Sequence, residues 1–498
     1  MDLDRTCGLA STEVERPTGA GHQSTWPRLA TRLAAILVAI LQPQQSDGTT
    51  RIVPTSFPTI QGAITASASG DTVLVLPGTY LENVWIDRSI TVRSQGTPSV
   101  TVIDGGSPPN PDHGSTVRID GGEIDGFDIR NGSGWWDPQL SGRWGGGVYI
   151  TAQCVIKNNW IHDNHLRPQP GYGQGAFGAA VAMRPGADAE LLANRIYRNI
   201  VESGNGEVIR AAGTAITRLD GNEIFDNHTL DYPVLACREA NVTRNIIACN
   251  SSQRSMIADI GGVLDNNTIV ANWSDALQPA VVASTYDDLL CILRSNNITH
   301  NVGPGIRCYQ PIGPLTEFVL ECNNIALNGP GGQIIGACAD AIGQHGNISV
   351  DPEYGRGSGC PSAHGDWCLG PDSPLLEANS PPGCGLIGAV GDCPQIGLPS
   401  VDRGAPMMSW ALPARPNPFG ARTVIPFHLG EEGEVQVVIY GLLGRQVRRL
   451  DLGSLGRGDH EVIWDGRDAS GVRGAAGAYV AAIRTPRHEL TRILLLLP

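Results

Sequence analysis

The chain has 498 residues, a net charge of −14, 63 glycines, 35 prolines and only 17% charged residues. That composition is wrong for a coiled coil or a helical bundle and suits a turn-rich β protein. The acidic balance, with Lys157 as the sole lysine, argues against a nucleic-acid partner and for a soluble or surface-displayed protein.

The first element is a leader, residues 1–48. After a polar stretch, Arg28 and Arg32 precede the apolar run Leu33-Ala-Ala-Ile-Leu-Val-Ala-Ile-Leu41 and then Gln42-Pro43. Nine apolar residues are too few for a stable bilayer anchor but fit the core of a secretory signal, so export without a transmembrane anchor is expected. Residues 57–68 place Ile60, Ala63 and Ile64 on one helical face, a short helix able to cover the open end of a sheet. Strands follow at Thr72–Leu76, Asn83–Ile86 and Ser89–Val92, with a turn at Pro77-Gly-Thr-Tyr80.

Ile124-Asp-Gly-Phe-Asp-Ile-Arg-Asn131 opens a pattern that governs the middle of the chain. The phrase Asn-x-Ile-x-x-Asn begins at Asn159, Asn194, Asn222, Asn245, Asn267, Asn296 and Asn323, at intervals of 35, 28, 23, 22, 29 and 27 residues. A period of that size signals a repeat architecture. One isoleucine among polar residues is too short for a helical stripe but right for a short strand and a turn. Asparagine tolerates the left-handed backbone of a sharp corner, and its amide can bond from coil to coil. The object described is a right-handed parallel β-helix, with an isoleucine column inside and asparagine ladders at the corners.

Two insertions interrupt the pattern. Residues 132–147 form a loop with Trp135, Trp136, Arg143 and Trp144; residues 162–178 form a second with His165, Arg167, Tyr172 and Phe177. Insertions are the usual carriers of function in solenoids.

Thr59-Ile-Gln-Gly-Ala-Ile64, Gly70-Asp-Thr-Val73, Pro77-Gly-Thr-Tyr80 and Glu82-Asn-Val84 resemble the opening coils of the pectate-lyase-like β-helix superfamily. The segments Asn347-Ile-Ser-Val-Asp-Pro-Glu-Tyr354, Gly365–Pro374 and Gly385-Leu-Ile-Gly-Ala389 resemble the closing segment of secreted bacterial β-helix proteins. The β-helix with its caps is therefore expected over 55–393. Within the closing segment Cys360, Cys368, Cys384 and Cys393 suggest two local disulfides, of which Cys360–Cys368 and Cys384–Cys393 is the preferred pairing among three. Cys154, Cys237, Cys249, Cys291, Cys308, Cys322 and Cys338 are expected as small buried hydrophobes.

A proline-rich linker, 394–412, leads to a segment of different character. From Trp410 onward 11 arginines face 9 acids, a net of +2 that leaves −16 on the rest. Short period-two strands from 413 to 498 indicate a small β-sandwich, making the whole chain all-β. Pro416-Asn-Pro-Phe419, Gly444-Arg-Gln-Val447, His460-Glu-Val-Ile-Trp464-Asp-Gly-Arg467 and Gly477-Ala-Tyr479 resemble an immunoglobulin-like module. That module is shared by the flagellar hook-capping protein and the sorting domains of type IX secretion substrates. The resemblance implies a secretion-machinery partner and location outside, or on the outer surface of, a bacterial cell. It departs at Ile493-Leu-Leu-Leu-Leu-Pro498, where a terminal basic residue is usual in the family.

The superfamily resemblance raises lyase and hydrolase chemistry. A lyase needs clustered acids for calcium and a basic residue; a hydrolase needs paired carboxylates. Neither set is complete, and Asp287-Asp288 stands without the histidine and Arg-x-Lys elements of the hydrolases. His162, Asp163 and His165 are the best catalytic candidates. Trp135, Trp136, Arg143, Trp144 and Tyr172 are the best ligand contacts, because sugars stack on indoles. Asp104, Asp125 and Asp128 fit turns better than calcium sites. The expectation is a protein that binds polysaccharide or cell-surface glycan, or serves as a scaffold or adhesive element. No metal or cofactor is expected, except calcium under the alternative of a polysaccharide lyase; a glycoside hydrolase is the other alternative.

Overall fold

The computed structural model describes residues 48–167, 175–202, 206–211, 217–258, 261–275, 277–283, 290–309, 318–355, 360 and 367–393. Of the C-terminal segment it describes 410–411, 414, 417, 419–429, 432–441, 445–456, 458–485 and 489–497. The leader's apolar run, Tyr172, Asp287, Asp288 and most of the linker lie outside the described residues.

The first unit is a parallel β-helix. Successive coils lay one strand each onto three parallel sheets. The first sheet runs from Thr50–Val53 to Phe318–Glu321, the second from Gly78–Tyr80 to Asn324–Ala326, and the third from Val84–Ile86 to Ile334–Gly336. In the second sheet, from Asp128–Arg130 onward, the middle residue of each strand points inward, in register with Ile103 of the strand before. Ile103, Ile129, Ile161, Ile196, Ile224, Ile247, Ile269, Ile298 and Ile325 thus form one continuous column, all fully buried. The first sheet supplies a facing column that includes Ile124, Ile156, Leu191, Leu219, Val242, Leu264 and Leu293. Each such side chain contributes roughly 1.5–3 kcal/mol by burial, so the core is a rod built of repeated small increments.

The asparagines make two parallel ladders. Asn222 Nδ2 and backbone N both donate to Asn245 Oδ1, at 2.9 and 2.8 Å, and the same pair of bonds recurs from Asn159 down to Asn347. The second ladder runs from Asn164 through Asn199, Asn227, Asn250, Asn272 and Asn301 to Asn328, where Gln333 Oε1 takes the last bonds. These amides are buried, and each spends its remaining Nδ2 proton on a carbonyl, as Asn245 does on Leu219.

The left-handed corners fall elsewhere than expected. The residue before each ladder asparagine takes positive φ, as at Ala193 (52°), Arg244 (53°), Cys249 (58°) and Leu327 (54°). That conformation costs roughly 1–2 kcal/mol for a residue with a Cβ. The adjoining ladder bonds offset it, so almost any residue type is accepted there. Asparagine is selected for its amide and not for its backbone.

At the N-terminal end the helix Ile60–Thr65 buries Ile60, Ala63 and Ile64 against the first coil. Thr59 Oγ1 accepts from Gly62 N, and the Glu82 carboxylate accepts from Ile60 N and Gln61 N, so the exposed donors of its first turn are satisfied. At the other end, described residues of the closing segment do more than plug the stack. They reach the outer face of the second sheet, where Trp367 is buried against Ile246, Ala248 and Val270. Tyr354 Oη bonds Asn297 and Thr299, and Ala389 N bonds Thr268.

The disulfides follow this path, and the expected local pairings do not form. The bonds are Cys249–Cys360, Cys308–Cys338, Cys322–Cys384 and Cys368–Cys393. Cys249 and Cys322 occupy left-handed corner positions, which turn their side chains outward to the covering segment instead of into the core. Cys154, Cys237 and Cys291 do sit in the apolar interior.

The second unit comprises two antiparallel sheets. One contains Trp410–Ala411, Thr423–Leu429 and Gly458–Trp464; the other contains Gly433–Gly441, Gln446–Leu455, Gly477–Arg484 and Glu489–Leu496. Trp464 is the centre of its core, in edge contact with Phe419 and Tyr479. The terminal leucines alternate as a strand should, with Leu494 and Leu496 buried and Leu495 and Leu497 exposed. Among the described residues no helix is long and apolar enough to cross a membrane.

Candidate functional site

In the third sheet the pleat is the reverse of the second: flanking residues point in and the middle one points out. The outward column begins Trp85, Arg118, Tyr149, Ala182. The two insertions cover this face. The first, expected as a loop, is a β-hairpin in which Gly134–Asp137 pairs with Gly142–Trp144 and Trp135 stands opposite Trp144. His113–Gly114 adds on one side, and Ala176–Phe177 of the second insertion adds on the other.

Trp144 is buried between Phe177 (4.6 Å) and Tyr149 (6.3 Å), with the Arg210 guanidinium 5.5 Å from its ring. Tyr149 Oη donates to Asp137 Oδ2 at 2.6 Å. Burial and that carboxylate push the phenol far above its ordinary range. Arg143 donates to the carbonyls of Pro111 and Gly134 and pairs with Asp112 at 3.4 Å. Trp136 bonds Asp112 through its backbone and stays half-buried. Trp144 and Arg143 thus hold the insertion together.

Trp135 is closed on both faces. His113 stacks on it at 3.9 Å and 4°, and Arg118 lies 4.5 Å from its centroid. Arg118 is also 4.6 Å from Trp85. Trp85 and Trp135 also meet directly, with ring centroids 6.1 Å apart and planes 58° apart, so the Arg118 guanidinium sits in the angle between two tilted indoles while His113 stacks on Trp135. Strand Val84–Ile86 is the edge of its sheet, so no coil follows beyond Trp85, and this residue remains 41% exposed. Its indole Nε1 donates to Asp120 Oδ2 at 2.8 Å, while Arg118 Nε donates to Asp120 Oδ1 at 2.9 Å. Trp85 N and O are both bonded to the Gln61 amide. An indole fixed at its edge and backbone, with area left open to water, is a rigid stacking surface.

His162 and Asp163 lie on the second sheet, in a different environment. His162 Nδ1 is 2.8 Å from Asp163 Oδ2, and its Nε2 makes an ion-pair contact of 2.9 Å with Asp128 Oδ1, too bent for a good hydrogen bond. The ring stacks on Tyr197 at 4.6 Å, and Tyr197 stacks on Phe225 at 5.0 Å. Arg198 donates to both Asp163 oxygens, at 2.8 and 2.6 Å. Burial opposes charge on His162, but the two carboxylates outweigh it and raise its pKa. Burial likewise opposes charge on Asp163, and Arg198 with His162 overcomes it, holding that carboxyl well below the usual range. The cluster joins a buried imidazole, stacked on Tyr197, to the solvent-facing Asp163–Arg198 ion pair. His165 is set apart, in a short separate sheet beside Glu202 at 2.9 Å, where burial lowers its pKa. Asp104 and Asp125 bond Asn131 and Asn158 at the neighbouring turns. Among the described residues no group of three or more His, Cys, Asp and Glu could hold a metal ion.

Sequence reasoning missed Trp85, Arg118 and Asp120. The signal was present as two short strands, Val84-Trp-Ile86 and Val117-Arg-Ile119, whose apolar flanks leave the middle residue facing out. That the two middle residues are neighbours depends on the register between coils, which the sequence does not carry.

Residues 428–486 match the family model of the FlgD Ig-like domain, which lies within the second unit. No curated protein matches the chain.

Proposed function

We propose that this chain is an exported or cell-surface glycan-binding protein, with the β-helix presenting the binding platform and the FlgD-type Ig-like module serving export or surface attachment. The observation that carries the reading is Trp85, an indole held rigidly against Arg118 and Trp135 in a residue that stays 41% exposed. Sugar rings present C–H faces that pack on such a surface. Four disulfides support an oxidising compartment, as does the leader's signal-like run. A catalytic reading rests on less, since neither the lyase set nor the hydrolase set is complete in the sequence.

The test is fractionation followed by pull-down. Expressed with its leader, the protein is expected in the medium or on the cell surface, and the recovered protein is expected on an insoluble glycan from a broad panel. Recovery only from the cytosol, or retention on no glycan, would sink the reading. New reducing ends or unsaturated uronate released during the same incubation would replace binding with catalysis.

A further inference from the structure

The charges around Trp85 are paired one to one, and that pairing bears on what the platform can hold. Asp120 takes Trp85 Nε1 and Arg118 Nη2 on Oδ2, and Arg118 Nε with the Thr151 hydroxyl on Oδ1. Each oxygen therefore already accepts two donors, and the Arg118 charge is cancelled in place. Arg88 binds Asp87 through two bonds, at 2.7 and 2.9 Å. Arg143 faces Asp112 and Arg184 faces Asp137 across the covering sheet. Both oxygens of Glu82 are spent on the helix N-terminus, accepting from Ile60 N and Gln61 N. Among the described residues around Trp85, Arg88, Arg118, Arg143 and Arg184 each face a carboxylate, so none of these guanidinium charges is left over for an anionic ligand.

Resting on the glycan-binding reading, we propose that the Trp85 platform takes a neutral pyranose with mostly equatorial hydroxyls, and not a uronate or sulfated sugar. One feature selects it: a ring with equatorial hydroxyls presents a flat C–H face to the indole, which is the contact Trp85 offers. A carboxylate ligand would have to displace Asp120 from Arg118, giving up a bidentate ion pair and the bond that fixes the indole. Among the described residues, the arginines near Trp85 are already paired and do not offset the cost of that exchange.

The experiment is pull-down on an insoluble neutral β-glucan, a mannan, polygalacturonate and alginate, from about 50 mM to about 500 mM salt, a range over which exposed charge attraction is strongly screened. Retention on a neutral glycan, unchanged by salt and reduced about tenfold or more in Trp85→Ala, is the expected result. Asp120→Asn uncovers the Arg118 charge and is expected to add salt-sensitive retention on polygalacturonate. Wild-type retention on the polyuronates that salt releases would overturn the neutral-sugar inference while leaving glycan binding standing. So would neutral retention indifferent to Trp85→Ala, with the fold verified by an unchanged melting curve. Retention on none of the four would overturn both.

Discussion

The two halves of the β-helix share the same inward isoleucine column, yet each hides a sheet face by a different means. In the N-terminal half, the covering sheet of the two insertions is held by packing: Trp144 against Tyr149 and Phe177, and Arg118 between Trp85 and Trp135. In the C-terminal half, the segment 346–393 is held by packing and by covalent bonds that reach back as far as Cys249. The first cover is short-range in sequence and is built around aromatic and charged groups. The second must bring distant residues onto Ile246, Ala248 and Val270, a long loop to close for a small apolar contact. The contrast teaches that the longest loop closure in the β-helix is cross-linked, while the cover built from nearby residues is held by packing alone.

Breaking the distant staple should have the largest effect. The Cys249–Cys360 bond spans 111 residues, and its loss in Cys249→Ser is expected to cost up to about 5 kcal/mol from loop closure alone. Denaturant melts, with limited proteolysis mapping the first cuts, would check this; cuts are expected in the closing segment while the N-terminal coils stay protected. A shift below about 1 kcal/mol would mean that Trp367 and Tyr354 hold the cover unaided.

The counterpart in the other half is Trp144→Ala. It empties the centre of the covering hairpin and is expected to cost about 3–4 kcal/mol, with reductant making no difference to the size of the loss. Hydrogen exchange should then rise in 134–144 and 176–177 and leave the closing segment unchanged. Loss of protection at both ends together would show that the two covers are not independent.

The smallest effect is expected from His162, on the part of the second sheet that neither cover occupies. Its folded pKa is raised, so the stabilisation is fully present below the ordinary histidine value near about 6.5 and is lost as pH rises through the folded value. Asp163 has the opposite sign: its folded pKa is depressed, and its contribution is lost only as pH falls below the ordinary carboxylate range. A modest fall in Tm between mildly acidic and alkaline pH is expected, flattened in His162→Gln. An unaltered slope in that variant would remove His162 as its source.

Much of the architecture was legible because it rests on local, repeated chemistry. The phrase Asn-x-Ile-x-x-Asn spells out a strand, its inward residue and both ladder positions, and Ile60, Ala63 and Ile64 spell out the covering helix. The left-handed corners were attributed to the wrong residues. Two asparagines per coil suggested the conformation, but the ladder bonds hold the preceding residue in it whatever its type, so Ala193, Arg244 and Leu327 carry no sign of it.

What the sequence by itself determined is the solenoid, its core column and the change to a sandwich near the C-terminus, because period and side-chain alternation are properties of neighbours along the chain. Tertiary structure alone decided which cysteines meet, that Trp135 is closed on both faces while Trp85 is open, and that His162 is spent on Asp128 and Asp163. Coil lengths vary from 22 to 35 residues between ladder asparagines. Contacts across coils therefore depend on where each insertion returns the chain to register, and only the folded molecule adds up those lengths.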